Sequence, residues 1–207
     1  MVKKQPLKQV RDSIVACKKC SLYKTRKFPV IGMGNHNADI MLVGSMPTSD
    51  EDNTGIPLVG SEGKIVNDIL TSVGIKDNIY ACNVLKCITP GSIEPKVEEF
   101  YACVGYLTHQ IEIISPKVIC TMGIDATKIV LEHLSIPVDK PMALLHGRIF
   151  APDTTFQTGS KNMGEEALAN IKVIPTYHPV TAKYVPEHKQ FIEDDFKIIK
   201  EYLLLSV

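Results

Sequence analysis

Four short apolar runs constrain this chain most: Ile40–Gly44, Ile79–Val84, Val118–Met122 and Val173–Tyr177. Each is brief and apolar without a polar face, the pattern of a strand buried on both sides of a parallel sheet. Helical periodicity fills the intervals. It covers Leu7–Ala16, Glu62–Val73, Lys96–Ile114 after Pro95, Asp125–Leu134 after Gly123, and Glu187–Leu204 after Pro186. Proline suits the first turn of a helix because the amide it lacks would be unpaired there anyway. Strands alternating with helices predict an α/β protein, a three-layer α/β/α sandwich around a central, mainly parallel four-stranded sheet. A chain of 207 residues supplies one substantial core, so a single domain over 1–207 is expected. Pro137–Asn170 fits neither period. A hairpin or excursion is expected there, with a strand at His146–Phe150 and then the polar run Asp153–Gly164.

In open parallel sheets, ligands bind beyond the carboxyl ends of the strands. Gly44-Ser45-Met46-Pro47, Asn83, Met122-Gly123 and His178-Pro179 each follow a predicted strand end. Four loops distant in sequence therefore meet at one edge. The first runs on through Asp50-Glu51-Asp52 to Gly60 and Gly63, which permit close backbone approach, and the helix start at Ser61–Lys64 offers unpaired amides to a phosphate. Asn83 carries both a donor and an acceptor group, a match for the amide edge of a pyrimidine. Pro179 holds His178 in an extended conformation at the sheet edge.

Six cysteines are present. Cys82 and Cys120 lie in apolar runs and read as core. Cys17 and Cys20 form a C-x-x-C pair, and Cys87 and Cys103 stand far along the chain. Four thiolates are soft donors that suit an iron–sulfur cluster or a structural zinc. The start of the chain lacks a signal-peptide core and no run of 18 apolar residues occurs, so an intracellular protein with reduced thiols and no membrane association is expected. Basic and acidic residues balance at 23 each, which excludes binding to nucleic acid by global charge alone. Local clusters must serve instead. Lys18, Lys19, Lys24, Arg26 and Lys27 form one, either a contact for a nucleic-acid backbone or a solvated face. No oligomerisation surface is evident, so a monomer is expected.

Taken together, these pieces resemble the family 4 uracil-DNA glycosylases, the iron–sulfur branch of the uracil-DNA glycosylase superfamily. The resemblance runs from Cys17 to the last helix. It rests on Cys17 and Cys20, Gly44–Thr48, Glu51-Asp52, Gly55–Gly60, Cys103 and His178-Pro179, and most specifically on Asn83-Val84-Leu85-Lys86-Cys87. It implies an enzyme of base-excision repair that turns a uracil nucleotide out of single- or double-stranded DNA and cleaves its N-glycosidic bond, leaving an abasic site. The roles it implies begin with His178 donating to the uracil carbonyl where negative charge grows. Asn83 would read the pyrimidine edge. Glu51 or Asp52 would favour the cationic sugar or place the water. Gly44, Ser45, Met46 and Pro47 would hold the base, with Leu58 where the family stacks a phenylalanine. Pro179, Thr181 and Lys183 would enter or flank the DNA groove, and Lys86 would reach a phosphate. Cys17, Cys20, Cys87 and Cys103 would bind a [4Fe-4S] cluster, with structural zinc as the alternative.

The chain departs from the family pattern at Ser45, Met46, Thr48, Leu58 and Val180, and Ile93-Glu94 replaces a basic position before Pro95. Loss of the stacking ring leaves two other readings open. One is a glycosylase of altered preference, for a deaminated purine. The other is a non-catalytic iron–sulfur subunit that binds DNA damage or a partner.

Overall fold

The computed structural model describes residues 3–152 and 170–205. Five strands form one sheet in the order β1-β3-β2-β4-β5. They are β1 (Met33–Gly34), β2 (Ile40–Gly44), β3 (Ile79–Asn83), β4 (Val118–Met122) and β5 (Lys172–Thr176). The last four are mutually parallel and are the four strands expected from sequence. The fifth, β1, is a two-residue edge strand antiparallel to β3, so the sheet is five-stranded rather than four-stranded. Two residues between glycine-bearing turns carry no strand periodicity, and the pairing is made by the neighbouring strand.

Six helices appear among the described residues: α1 (Lys4–Val15), α2 (Ser49–Thr54), α3 (Gly60–Val73), α4 (Val97–Ile114), α5 (Ile124–His133) and α6 (Glu187–Leu205). They cover both faces of the sheet. Met41, Val43, Tyr80, Cys82, Ile119 and Val173 point to the side packed by α1, α4 and α5. Ile40, Leu42, Ala81, Val118, Cys120 and Ile174 point to the side packed by α3 and α6. The alternation along each strand thus fills two cores, which is why the strands read as continuous apolar runs. None of these helices is long and apolar enough to cross a membrane.

The expected strand at His146–Phe150 contracts to a single bridge. Phe150 pairs with Val173 alone, and Gly147, at φ 67°, donates to the Pro175 carbonyl at 2.9 Å. The segment covers the edge of β5 without adding a ladder. Asp153–Gly164 lies outside the described residues.

Topology locates the functional edge. The chain passes from β2 through α3 to β3 on one side, then through α4 to β4 on the other side of β2. The order reverses at β2, and the crevice beyond its carboxyl end is where such sheets bind ligands.

Candidate active site

The loop after β2 is built by a capping box. Thr48 Oγ1 accepts the Glu51 N–H at 3.3 Å, and Glu51 Oε2 accepts the Thr48 N–H at 3.1 Å, starting α2. Sequence reading treated this stretch as loop, although Thr48-Ser49-Asp50-Glu51 carries the capping signature. The cap does more than start a helix. Glu51 Oε1 also accepts the Leu58 N–H at 2.6 Å, and Oε2 accepts from Asn83 Nδ2 at 3.1 Å. Glu51 and Asn83 are only 6% and 5% exposed. Burial pushes the Glu51 carboxyl up, and the bonds from Leu58 and Thr48 pull against that shift.

Asn83 is the last residue of β3, opposite Gly44 at the end of β2. A Cβ at Gly44 would collide with Asn83 Oδ1, so the glycine makes room for the amide. Glu51 accepts only, so it fixes the orientation of that amide: Nδ2 toward the carboxylate, Oδ1 over Gly44. Leu58 sits at φ 57°, a left-handed conformation unfavourable for a side-chain-bearing residue. Its carbonyl lies where a Cβ at Gly63 would stand, and Asn67 Nδ2 donates to it at 3.4 Å.

His178 follows β5. Its Nδ1 accepts the Val180 N–H at 3.3 Å, which leaves Nε2 as the protonated nitrogen of the neutral ring. Burial lowers its pKa, while Glu62 and Asp125 oppose the shift. Glu62 Oε2 lies 3.9 Å from Nδ1. Gly123, at φ 88°, brings β4 against the imidazole, since a Cβ there would stand 3.0 Å from His178 Cβ.

Gly44, Met46, Glu51, Leu58, Asn83, His178 and Pro179 line one pocket. Ser45 and Pro47 do not line it, and the Ser45 carbonyl accepts the Leu85 N–H at 2.9 Å instead. The pocket is small in this structure, with a volume of about 30 Å³. Leu58 also walls an open groove of about 400 Å³.

A family model described as the uracil DNA glycosylase superfamily matches residues 31–202. The type-4 uracil-DNA glycosylase of Sulfurisphaera tokodaii is 34% identical over 197 residues, 94% of this chain and 84% of that one. That of Archaeoglobus fulgidus is 34% identical over 198 residues, 95% and 93% of the two chains. That of Thermotoga maritima is 33% identical over 175 residues, 82% and 79%. The chain belongs to the uracil DNA glycosylase superfamily.

Within that superfamily frame, the expectations for Lys86 and Asp52 change as well. Lys86 does not reach outward to a phosphate. It is 1% exposed, and its Nζ donates to the Asn83 carbonyl and to Gln110 Oε1, each at 2.6 Å. Asp52 does not face the pocket. Its carboxylate accepts the Lys27 N–H at 3.2 and 3.1 Å, tying the segment before β1 to α2. Thr181 turns back onto its own loop, with Oγ1 donating to the His178 carbonyl at 2.7 Å. Lys183 remains exposed, with Nζ 2.7 Å from Ser61 Oγ at the start of α3. Glu62 joins the pocket without having been given a role there, and Thr48 and Gly63 line it too.

Cys17, Cys20, Cys87 and Cys103 line one small cavity, which shares no lining residue with the base pocket. Arg26, Lys19 and Lys86 line it too, and no carboxylate does among the described residues. Arg26 Nη1 donates to Cys87 Sγ at 3.2 Å, and the Lys86 N–H to Cys103 Sγ at 3.4 Å. Arg26 therefore faces the cavity rather than solvent. Burial pushes the Cys87 thiol up and the Cys103 thiol to about 11. Among the described residues, no group of three or more His, Cys, Asp or Glu is arranged to hold a single metal ion. Cys82 and Cys120 are buried in the core, as expected.

Proposed function

We propose that this protein excises uracil from single- or double-stranded DNA by cleaving the N-glycosidic bond, acting inside the cell as a monomer. The observation that carries this reading is the oriented Asn83 amide facing His178 across one pocket. With Nδ2 turned to Glu51, Asn83 still has one N–H and its Oδ1 to offer. Uracil presents a carbonyl acceptor beside the ring N3–H, the complement of that pair. Cytosine presents the reverse. The Nε2–H of neutral His178 is a donor for the carbonyl on which charge collects as the base departs. One preorganised donor of this kind contributes roughly 2.7–4 kcal/mol to the transition state. Glu51 adds a buried negative charge beside the pocket where the sugar becomes cationic.

The four-thiol cavity suits a [4Fe-4S] cluster. Among the described residues, three cations and no carboxylate line the thiol cavity, a setting that suits a net-negative metal–thiolate centre. A cluster takes one thiolate per iron around a wide body. Zinc takes all four thiolates on one ion and remains the alternative for the same four thiols. Bound there, the group would supply structural and electrostatic support, joining the C-x-x-C segment to the loop beyond Asn83. Iron and sulfide analysis of anaerobically purified protein decides between the two metals.

The test of function is single-turnover cleavage of labelled single-stranded DNA containing one uracil, followed by alkali to cut abasic sites. Wild-type protein produces strand breaks. His178→Ala lowers the rate about 10²–10³-fold and leaves DNA affinity unchanged. Absence of breaks with wild-type protein that carries its cluster rejects uracil excision, and hypoxanthine or xanthine in the same strand then tests the deaminated-purine alternative.

A further inference from the structure

Lys86 places a full charge where a charge is costly. Burying an ammonium is unfavourable by several kcal/mol unless hydrogen bonds and nearby charge offset it. Its two short bonds go to neutral oxygens, those of the Asn83 carbonyl and the Gln110 side chain. Gln110 cannot swing away. It is fully buried, and its Nε2 donates to the Ile31 carbonyl at 2.6 Å and to Tyr80 Oη at 3.1 Å. The main chain of Lys86 is held as well, its carbonyl accepting the Val30 N–H at 2.8 Å. A rigid brace thus ends on the carbonyl of the residue whose side chain faces the base pocket.

We propose that Lys86 is a positioning residue that acts through Asn83. Asn83 ends its strand, so β3 fixes only the N-terminal side of its Cα. On the C-terminal side, the peptide plane joining Asn83 to Val84 sets the direction of the side chain. The Lys86 ammonium grips that plane by its carbonyl, and the Val84 and Leu85 amides bond to the Gly44 and Ser45 carbonyls at 2.8 and 2.9 Å. Tilting the plane swings the Asn83 amide off the Glu51 carboxylate and off the line of the base, and hydrogen bonds weaken steeply with misalignment. The functional consequence rests on the base-excision reading above. The geometric consequence does not.

The test uses full-length, cluster-loaded protein carrying Lys86→Met, which keeps the length of the side chain and removes its charge and donors. Lys86→Gln, a milder change, carries the same measurements should the first variant fail to fold. The expected loss in kcat/KM on uracil-containing DNA is about 10–100-fold, the scale for removing a supporting partner of a functional side chain. In an Asn83→Ala background the same substitution costs little more, because its route of action is already gone. Binding to undamaged DNA keeps its salt dependence. A salt slope reduced by about one would mean that Lys86 meets a phosphate, and would overturn the proposal. Equal losses in both backgrounds would overturn it too. Hydrogen exchange gives a readout independent of excision. The Val84 and Leu85 amides should exchange faster in Lys86→Met, measured against the Ile119 amide inside β4. An unchanged ratio refutes the positioning role. If wild-type protein excises no uracil, the base-excision reading falls while the exchange ratio still decides this one.

Discussion

Glu51→Gln isolates the acceptor that orients Asn83. In the native site Oε1 takes the Leu58 N–H at 2.6 Å, and Oε2 takes both the Thr48 N–H and Asn83 Nδ2 at 3.1 Å. Glutamine keeps the shape but converts one acceptor into a donor. The shorter Leu58 bond retains the oxygen, so the new amide nitrogen faces two donors. Asn83 resolves its share of the conflict by turning over, with Oδ1 toward residue 51 and Nδ2 over Gly44. The pocket then presents a donor to the uracil N3–H. A hydrogen bond to a charged partner contributes about 1.5–3 kcal/mol. At about 1.4 kcal/mol per decade, losing one such interaction lowers kcat/KM for uracil roughly 10–150-fold. Cytosine carries the opposite edge pattern, so discrimination between the two bases narrows at the same time. Single-turnover excision from matched strands bearing uracil or cytosine at one position measures both effects. Undiminished uracil excision by the variant would refute the idea that Glu51 sets the Asn83 orientation.

Three further outcomes follow from the same geometry. Leu58→Phe supplies a flat face for the base. Base–aromatic stacking contributes roughly 1–3 kcal/mol, so KM should fall about 5-fold or more, and a rise in KM would show that the adjoining groove does not admit the ring. Gly123→Ala places a Cβ 3.0 Å from His178 Cβ at a backbone φ of 88°, which should cost about 1–3 kcal/mol in chemical denaturation and lower kcat at temperatures where the variant stays folded. Acidification should end activity before it ends folding. Burial raises the Glu51 pKa, so the folded state takes up that proton more readily than the unfolded chain does. Ionised Glu51 therefore subtracts stability at neutral pH, and the cost is relieved as pH falls through its raised value. Its acceptor for Asn83 is lost over the same interval. Rates and melting temperatures measured in parallel from pH 7 downward should show an acid limb of activity above the ordinary Glu range of about 4.3, with no matching drop in melting temperature attributable to Glu51.

Much of the architecture was legible because the four parallel strands are buried on both faces and read as unbroken apolar runs. Edge strand β1 was not, since two residues carry no period and the neighbouring strand supplies the pairing. The residues gathered at the strand ends were visible from topology: Gly44, Asn83 and His178 each lie at or just beyond the end of a predicted strand. Their division of labour was not. Asp52 and Glu51 are adjacent and chemically alike, but on the short helix α2 they face different ways, one to Lys27 and one to Asn83. The capping signature at Thr48 and Glu51 was the available signal for that helix, and it lay within a stretch whose glycines and prolines read as loop. Lys86 was misplaced for a related reason. A lysine beside a strand end is exposed far more often than buried, and only the tertiary approach of Gln110 to the Asn83 carbonyl creates an interior site for its charge.

The departures from the family pattern bear on whether the site does chemistry, and the energetics of the site argue that it does. A surface that only bound damaged DNA would need exposed donors and cations at low internal cost. This edge instead holds an almost fully buried carboxylate, a buried asparagine amide at a strand end, and a leucine held in a left-handed conformation. Each is unfavourable by itself, and bonds among them offset the cost: Glu51 accepts from the Leu58 N–H and from Asn83 Nδ2, while the Val180 N–H holds the His178 ring beside them. Local rules broken together, around one cavity, mark a site where geometry is maintained against stability. Replacement of the stacking ring by Leu58 removes base affinity without touching this network. The expected phenotype is therefore a weaker-binding glycosylase with an intact chemical step, so the deficit should lie in KM and be reversible by Leu58→Phe. A deficit confined to kcat would place the lesion in the network and favour the non-catalytic reading instead.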